Sequence, residues 1–68
     1  MYQFKKKNGN FYIEGDNRFY AHYLGKDCFM VFMWEDDTYD CANLLFVSSD
    51  EYAANETINE YIEENPNV

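Results

Sequence analysis

The chain changes from a strand pattern to a helix pattern within SSDEYAANETINEYIEE, which spans residues 48–64. Its start carries a capping-box pattern, in which the Ser48 hydroxyl would accept a hydrogen bond from the Glu51 N–H and the Glu51 carboxylate would bond back. Apolar residues then recur on one helix face, at Ala54, Ile58, Tyr61 and Ile62. Because the residue before Pro66 is pushed out of the α region, the pattern predicts a helix over residues 49–64.

Residues 2–47 carry the pattern of short strands separated by turns. Asn8-Gly9 supplies the two positive-φ residues of a tight hairpin turn. Gly15-Asp16-Asn17 and Gly25-Lys26-Asp27 mark the next two turns, and Glu35–Tyr39 is interpreted as an acidic turn before the last strand. The predicted fold is a single α+β domain over residues 1–68, an antiparallel meander of about five strands with one C-terminal helix packed on one face.

One face of this predicted sheet has no helix to cover it. In Cys28–Trp34 the apolar side chains point alternately to both faces, which is typical of a strand covered on both sides. We therefore expect the uncovered face to meet a partner or a second copy of the chain as a homodimer. Curling of the sheet into a partial barrel is the alternative.

The composition gives no support for an enzyme. The two cysteines are too few for a disulfide scaffold, and no Cys/His cluster has zinc-ligand spacing. A turn at Asp36–Asp37 would place Cys41 opposite Phe32 and Cys28 opposite Leu45, too far apart for a disulfide. Exposed carboxylates without apolar pockets do not acquire the split pKa values of acid–base catalysis. We predict no catalytic residue, metal site or cofactor, and we interpret His22 as a structural or surface histidine.

No segment of the sequence predicts secretion or membrane insertion. Met1–Lys7 is polar and basic without an apolar signal region behind it. The longest apolar run has seven residues, far fewer than the roughly 20 needed to span a membrane. We expect an intracellular protein with reduced thiols.

Basic and acidic side chains are separated along the chain. The first 26 residues carry five basic and two acidic side chains, whereas residues 27–68 carry eleven acidic side chains and no Lys or Arg, for a net charge of −8 overall. This separation predicts a positively charged partner. Lys5, Lys6 and Lys7 are interpreted as a guard of an edge strand against aggregation, because the negative charge of the remaining chain opposes phosphate binding.

Two acidic clusters form the predicted partner-binding site. The helix cluster lies on the solvent face and last turn of the helix and consists of Glu56, Glu60, Glu63 and Glu64. No lysine pairs with it along the helix, and glutamates in the last turn each cost about 0.3–1 kcal/mol at the negative end of the helix dipole. The loop cluster consists of Glu35, Asp36, Asp37 and Asp40. Solubility is the competing explanation for both clusters.

The lengths of the helix and the last strand predict that the two clusters meet. A helix of about 15 residues is roughly 22 Å long, and a strand of about seven residues is roughly 23 Å long. A helix that follows the last strand and packs back along it ends near the turn that opens that strand. Both clusters are then expected at one edge of the molecule.

With these acidic residues from Asp27 onward, the chain resembles the small acidic inhibitors that bacteriophages make early in infection. The likeness rests on size, on the helix cluster and on the loop cluster, whereas the basic N-terminal residues depart from the simplest pattern. Several members of that class are compact α+β proteins that act as DNA mimics on nucleoid proteins, RNA polymerase, restriction enzymes or CRISPR nucleases. The resemblance implies a basic DNA-binding host protein as partner, in the host bacterial cytoplasm.

The leading hypothesis is a non-enzymatic, phage-encoded inhibitor that mimics DNA and does not itself bind nucleic acid or membranes. A histone-like nucleoid protein such as HU is the first expected target, because such proteins bind DNA with little sequence preference. The alternative is a protein-binding or adaptor module that uses the exposed aromatic sheet face, with the carboxylates serving solubility.

Overall fold

The computed structural model describes residues 1–36 and 38–67 as five β-strands followed by one α-helix. The elements are β1 (Phe4–Lys7), β2 (Asn10–Ile13), β3 (Phe19–Tyr23), β4 (Phe29–Trp34), β5 (Ala42–Ser48) and α1 (Glu51–Glu64). The strands form one antiparallel sheet in the order β1-β2-β3-β4-β5, so that β1 and β5 are its two edges. The predicted α+β meander with a C-terminal helix is confirmed.

The first hairpin follows its local sequence signal. Asn8 and Gly9 have φ angles of 52° and 84°, and they join two strands that pair through Lys7 and Asn10. Two successive residues with positive φ match the right-handed twist of the flanking strands. The predicted tight turn is therefore confirmed.

The helix begins later than the capping-box pattern predicts. Asp50 is the N-cap, and its Oδ1 accepts a hydrogen bond of 2.9 Å from the Ala53 N–H. Ser48 is instead the last residue of β5, where it pairs with Phe29 in the sheet. The predicted capping box and the predicted start at residue 49 were wrong, because Asp50 caps the first turn while Ser48 is held in the strand.

The pairing of β4 with β5 also differs from the predicted register. Val31 pairs with Phe46 and Phe32 with Leu44, which leaves Leu45 as the extra residue of a β-bulge. The connecting loop closes where the Glu35 N–H donates to the Cys41 carbonyl at 2.9 Å, so it is longer than the predicted two-residue turn. Cys41 therefore does not lie opposite Phe32, and Cys28 does not lie opposite Leu45.

The hydrophobic core lies between α1 and one face of the sheet. The buried helix residues are Ala54, Ile58 and Ile62, as the apolar spacing predicts, and Tyr61 is half-buried beside them. The sheet contributes the buried side chains Phe4, Ile13, Phe19, Ala21, Phe29 and Val31. The helix touches β1, β4 and β5. Because β1 and β5 are opposite edges, the sheet curls around the helix, yet no element of the described residues covers its other face.

The helix also holds the outer edge of the first strand. The Phe4 N–H donates to Asn55 Oδ1 at 2.8 Å. The Tyr2 N–H donates to Asn59 Oδ1 at 2.8 Å, and Asn59 Nδ2 donates back to the Tyr2 carbonyl at 2.7 Å. Two helix asparagines thus take the place of a neighbouring strand.

Candidate functional site

The β4–β5 loop and the C-terminal end of α1 meet at one end of the molecule, as the lengths of the elements predict. Both segments line a single cleft of about 310 Å³. The loop contributes Glu35, Asp36 and Tyr39, and the helix end contributes Tyr61, Asn65 and Asn67. The last two glutamates of the helix cluster, Glu63 and Glu64, therefore share this end of the molecule with the loop cluster.

Only part of the predicted site lies in the cleft itself. Glu35 and Asp36 line it, whereas Asp40 is exposed elsewhere on the loop. Every glutamate of the helix cluster is exposed and lies outside the cleft lining, namely Glu56, Glu60, Glu63 and Glu64. Asp37 lies outside the described residues. The described residues of the predicted site therefore form an exposed acidic surface, of which only Glu35 and Asp36 line the cleft, and not a pocket of converging carboxylates.

Asp36 is fixed in its loop by a short polar side chain. Its Oδ1 accepts hydrogen bonds from the Thr38 hydroxyl at 2.5 Å and from the Thr38 N–H at 2.9 Å. These bonds, the hydroxyl first, hold the pKa of Asp36 below its usual range because they favour the charged carboxylate. Asp36 thus keeps its negative charge at lower pH than an unassisted aspartate.

The cleft also contains one basic residue, whose charge is already matched. Arg18 donates to Asp16 through Nε at 3.0 Å and through Nη2 at 2.8 Å. Asp16 is only 2% exposed, and its hydrogen bond to the guanidinium raises the pKa of Arg18. Sequence reasoning assigned Asp16 to a turn and missed this pair, although an arginine two residues after a turn aspartate was an available signal.

The acidic surface has no compensating cations within the part of the chain that the structure describes. The ion pairs there are Lys5–Glu14 and Arg18–Asp16, and all four residues precede Asp27. The described carboxylates from Asp27 onward therefore project an unbalanced negative field. Among the described residues, the charge separation along the sequence is also a separation of carboxylates with an ion-pair partner from carboxylates without one.

Aromatic side chains form one wall of the cleft. The Trp34 and Tyr39 rings meet edge to face with their centroids 5.5 Å apart, and the Tyr39 hydroxyl accepts a hydrogen bond from Asn17 Nδ2 at 2.6 Å. Tyr39 has a φ of 58°, in the left-handed region that residues other than glycine seldom occupy. Sequence reasoning missed Tyr39, because only the folded loop places it against Trp34.

The sheet face opposite α1 is a second candidate surface. Tyr20 stacks on Phe32 with ring centroids 5.0 Å apart and lies 4.7 Å from Trp34. The His22 ring packs edge-on against the Tyr20 ring, with 5.4 Å between their centroids. This aromatic face is half-exposed and is the surface that the alternative hypothesis requires.

Other kinds of site find no geometric support in residues 1–36 and 38–67. These residues contain no group of three or more His, Cys, Asp or Glu side chains arranged to hold a metal ion. No helix among them is both long and apolar enough to cross a membrane. Comparison with protein-family models, with curated proteins and with solved structures gave no match to this chain.

Proposed function

We propose that this protein is a non-enzymatic, phage-encoded inhibitor that imitates DNA on the basic surface of a host protein. The observation that carries the proposal is the meeting of the acidic loop and the acidic helix end at one end of the molecule. Among the described residues, no ion pair offsets either cluster. The partner would be a DNA-binding protein of the bacterial cytoplasm, with a histone-like nucleoid protein such as HU as the first candidate.

The line of helix carboxylates supports imitation of a charged backbone. Residues one helical turn apart are separated by about 6 Å along the axis, and DNA carries one charge per roughly 3.4 Å of each strand. The helix therefore offers about one charge where a DNA strand carries nearly two, so what it would imitate is a line of negative charge, to which a target that makes no base-specific contacts can respond. Association driven by such charge is fast and weakens as salt is added.

The test is capture from a bacterial lysate at low salt with DNA as the competitor. The proposal predicts that a basic DNA-binding protein is captured and that DNA releases it. Replacing Glu60 and Glu63 by glutamine should weaken its binding about tenfold, if each charge contributes about 0.7 kcal/mol. The matched control, Asn10→Lys with Leu24→Lys, changes the net charge equally at two exposed positions on the end of the sheet opposite the β4–β5 loop, and it should bind as the unmodified chain does. An affinity that stays unchanged in high salt, or that stays unchanged when Glu60 and Glu63 are replaced by glutamine, contradicts the proposal.

The stacked aromatic face favours a second candidate function, that of an adaptor module. Tyr20, Phe32 and Trp34 lie together on the face that α1 does not cover. Tyr12 pairs with Tyr20 across β2 and β3 and lies on the same face. In this case Tyr12→Ser with Tyr20→Ser would abolish capture, because binding energy concentrates in aromatic anchors. The Glu60 and Glu63 variant would then bind normally, which is the opposite of the outcome for a DNA mimic.

A further inference from the structure

The outer edge of β5 lacks the protection that the outer edge of β1 has. Its sequence, ANLLFVS, contains no charged residue. Among the described residues, no side chain hydrogen-bonds to the β5 backbone, and no further strand pairs with its outer side. Leu44 and Val47 are each 51% exposed there. An uncharged edge strand with free backbone groups can pair with another chain.

We infer that the outer edge of β5 receives an extended segment of the basic partner as a sixth strand of the sheet. The backbone groups of β5 would supply the hydrogen bonds, as in other cases where a peptide adds to a sheet edge. The inference rests on the proposed function, because that function makes the partner basic. It adds a second contact, based on backbone hydrogen bonding, beside the acidic end.

Charge on both sides of β5 determines which segment fits. Asp40 precedes the strand and Asp50 follows it, and both are exposed. Asp50 also caps the helix, but only its Oδ1 accepts the capping bond. The seven residues of β5 span about 23 Å, so the ends of an added strand lie beside these carboxylates. Lysine or arginine at the two ends of the incoming segment would complement them.

The same charges disfavour a second copy of this chain as the occupant. Two copies paired antiparallel through β5 would bring Asp40 of each copy toward Asp50 of the other. Each copy also carries a net charge of −8, and neither β5 supplies a cation to offset the contact. Like charges across an interface cost several kcal/mol. A basic segment of another protein is therefore the occupant that the surface selects.

The bulge at Leu45 bends the β5 edge but does not occupy its outer backbone groups. It increases the local twist and bends the strand, so a flat partner strand cannot pair along its whole length. A flexible segment can follow the bend. Leu44 pairs with Phe32 and Val47 with Met30, which places both exposed side chains on the face opposite the helix. The apolar residues of an added strand would extend that face.

A synthetic peptide, Lys-Lys-Val-Thr-Val-Thr-Val-Lys-Lys, provides the test with the full chain. Amide hydrogen exchange is followed by NMR with and without the peptide. At a peptide concentration about ten times its Kd, exchange at the outer amides of β5 should slow about tenfold, while β1 stays unchanged. The control peptide carries methyl groups on alternate backbone nitrogens, so it keeps the charge and side chains but loses hydrogen-bond donors. It should give no protection of β5.

One substitution and its matched control complete the test. Val47→Lys places a charge on the β5 edge and should abolish the peptide-induced protection, whereas Gln3→Lys adds the same charge near β1 and should leave it unchanged. Absence of peptide binding, equal binding of the methylated peptide, or binding without β5 protection would each overturn the inference. So would β5 protection that rises with protein concentration alone, which would identify a second copy. Failure of DNA to release a captured lysate protein would instead overturn the proposed function and leave a positive peptide result standing.

Discussion

The two edge strands of the sheet differ in how well their outer sides are protected from pairing with another chain. On β1 three consecutive lysines, Lys5 to Lys7, face the surroundings, and Asn55 and Asn59 occupy the backbone groups near its start. On β5 there is no charge and no such hydrogen bond among the described residues. Edge strands that are left open invite pairing with other chains. The comparison indicates that β1 is protected from pairing with other chains and that β5 is the edge at which another strand can pair.

The hydrogen bonds that Asn55 and Asn59 form with Phe4 and Tyr2 are called the asparagine clasp below. Removing part of this clasp should have the largest effect on stability. Asn59→Ala leaves the part-buried N–H and C=O groups of Tyr2 without partners, and each unsatisfied group costs about 1–3 kcal/mol. We expect the free energy of unfolding to fall by about 2 kcal/mol, measured by urea denaturation, even though alanine is the better helix former.

Asn43→Ala is the matched control on the opposite edge. Asn43 is exposed on β5, and surface substitutions of this kind change stability by less than about 0.5 kcal/mol. Equal losses in the two variants would mean that the helix does not hold the β1 edge.

Removal of the helix N-cap, which lies just after the open edge strand β5, should have the next largest effect on stability. Asp50→Ala removes the carboxylate that accepts the Ala53 N–H, and loss of an N-cap costs about 1 kcal/mol. Thermal and urea unfolding should both report this loss. Ser48→Ala should change little, since Ser48 belongs to β5; a larger effect at Ser48 than at Asp50 would restore the capping box as the correct description.

Removing negative charge from the last turn of the helix, which holds the β1 edge, should raise the free energy of unfolding. Glu63→Gln and Glu64→Gln remove charges from the negative end of the helix dipole, and each should raise the free energy of unfolding by about 0.3–1 kcal/mol at low ionic strength. The gain should shrink in high salt because the charges are exposed and screened. Glu51→Gln, in the first turn, should have the opposite sign. A loss at all three positions would contradict the dipole explanation.

Adding a lysine to the open edge strand, β5, should have the smallest effect on stability but should clearly slow aggregation. Val47→Lys should change the free energy of unfolding by no more than about 0.5 kcal/mol, because Val47 is a half-exposed surface position. Light scattering during heating should show slower aggregation than the unmodified chain.

The reverse change on β1 provides the comparison. Lys5→Thr with Lys7→Thr should leave the aggregation of the folded protein almost unchanged, because Asn55 and Asn59 still hold that edge. The Lys5–Glu14 pair that is lost is exposed and contributes little. Faster aggregation of the folded lysine variant than of the unmodified chain would show that charge alone protects β1.

The parts of the fold that were predictable depend on neighbouring residues in the chain. Asn8-Gly9 specifies its turn through backbone preference alone, and Ala54, Ile58 and Ile62 specify a helix face through spacing alone. The start of the helix was not predictable in this way. Ser48 and Asp50 are both good N-cap residues, and the pairing of Ser48 with Phe29 decides between them.

The remaining differences arise from contacts between distant segments. Four consecutive apolar residues, Leu44 to Val47, give no alternation from which the bulge at Leu45 could be located. The acidic residues were correctly expected at the surface, but the sequence did not separate those lining the cleft from those on the helix. Asn55 and Asn59 did leave a signal, since asparagine is unfavourable inside a helix and these two stand one turn apart.

The asparagine clasp also sets an order of events during folding. Tyr2 and Asn59 are 57 residues apart, and Phe4 and Asn55 are 51 residues apart, so these bonds form only after a long loop has closed. Synthesis proceeds from the N-terminus, and all five strands leave the ribosome before the helix does. During that interval β1 has no asparagine beside it and both sheet edges are open, a state in which partly folded chains aggregate. The three lysines on β1 carry their charge whether or not these bonds have formed, so we expect them to keep the β1 edge from pairing with other chains until the asparagine bonds form.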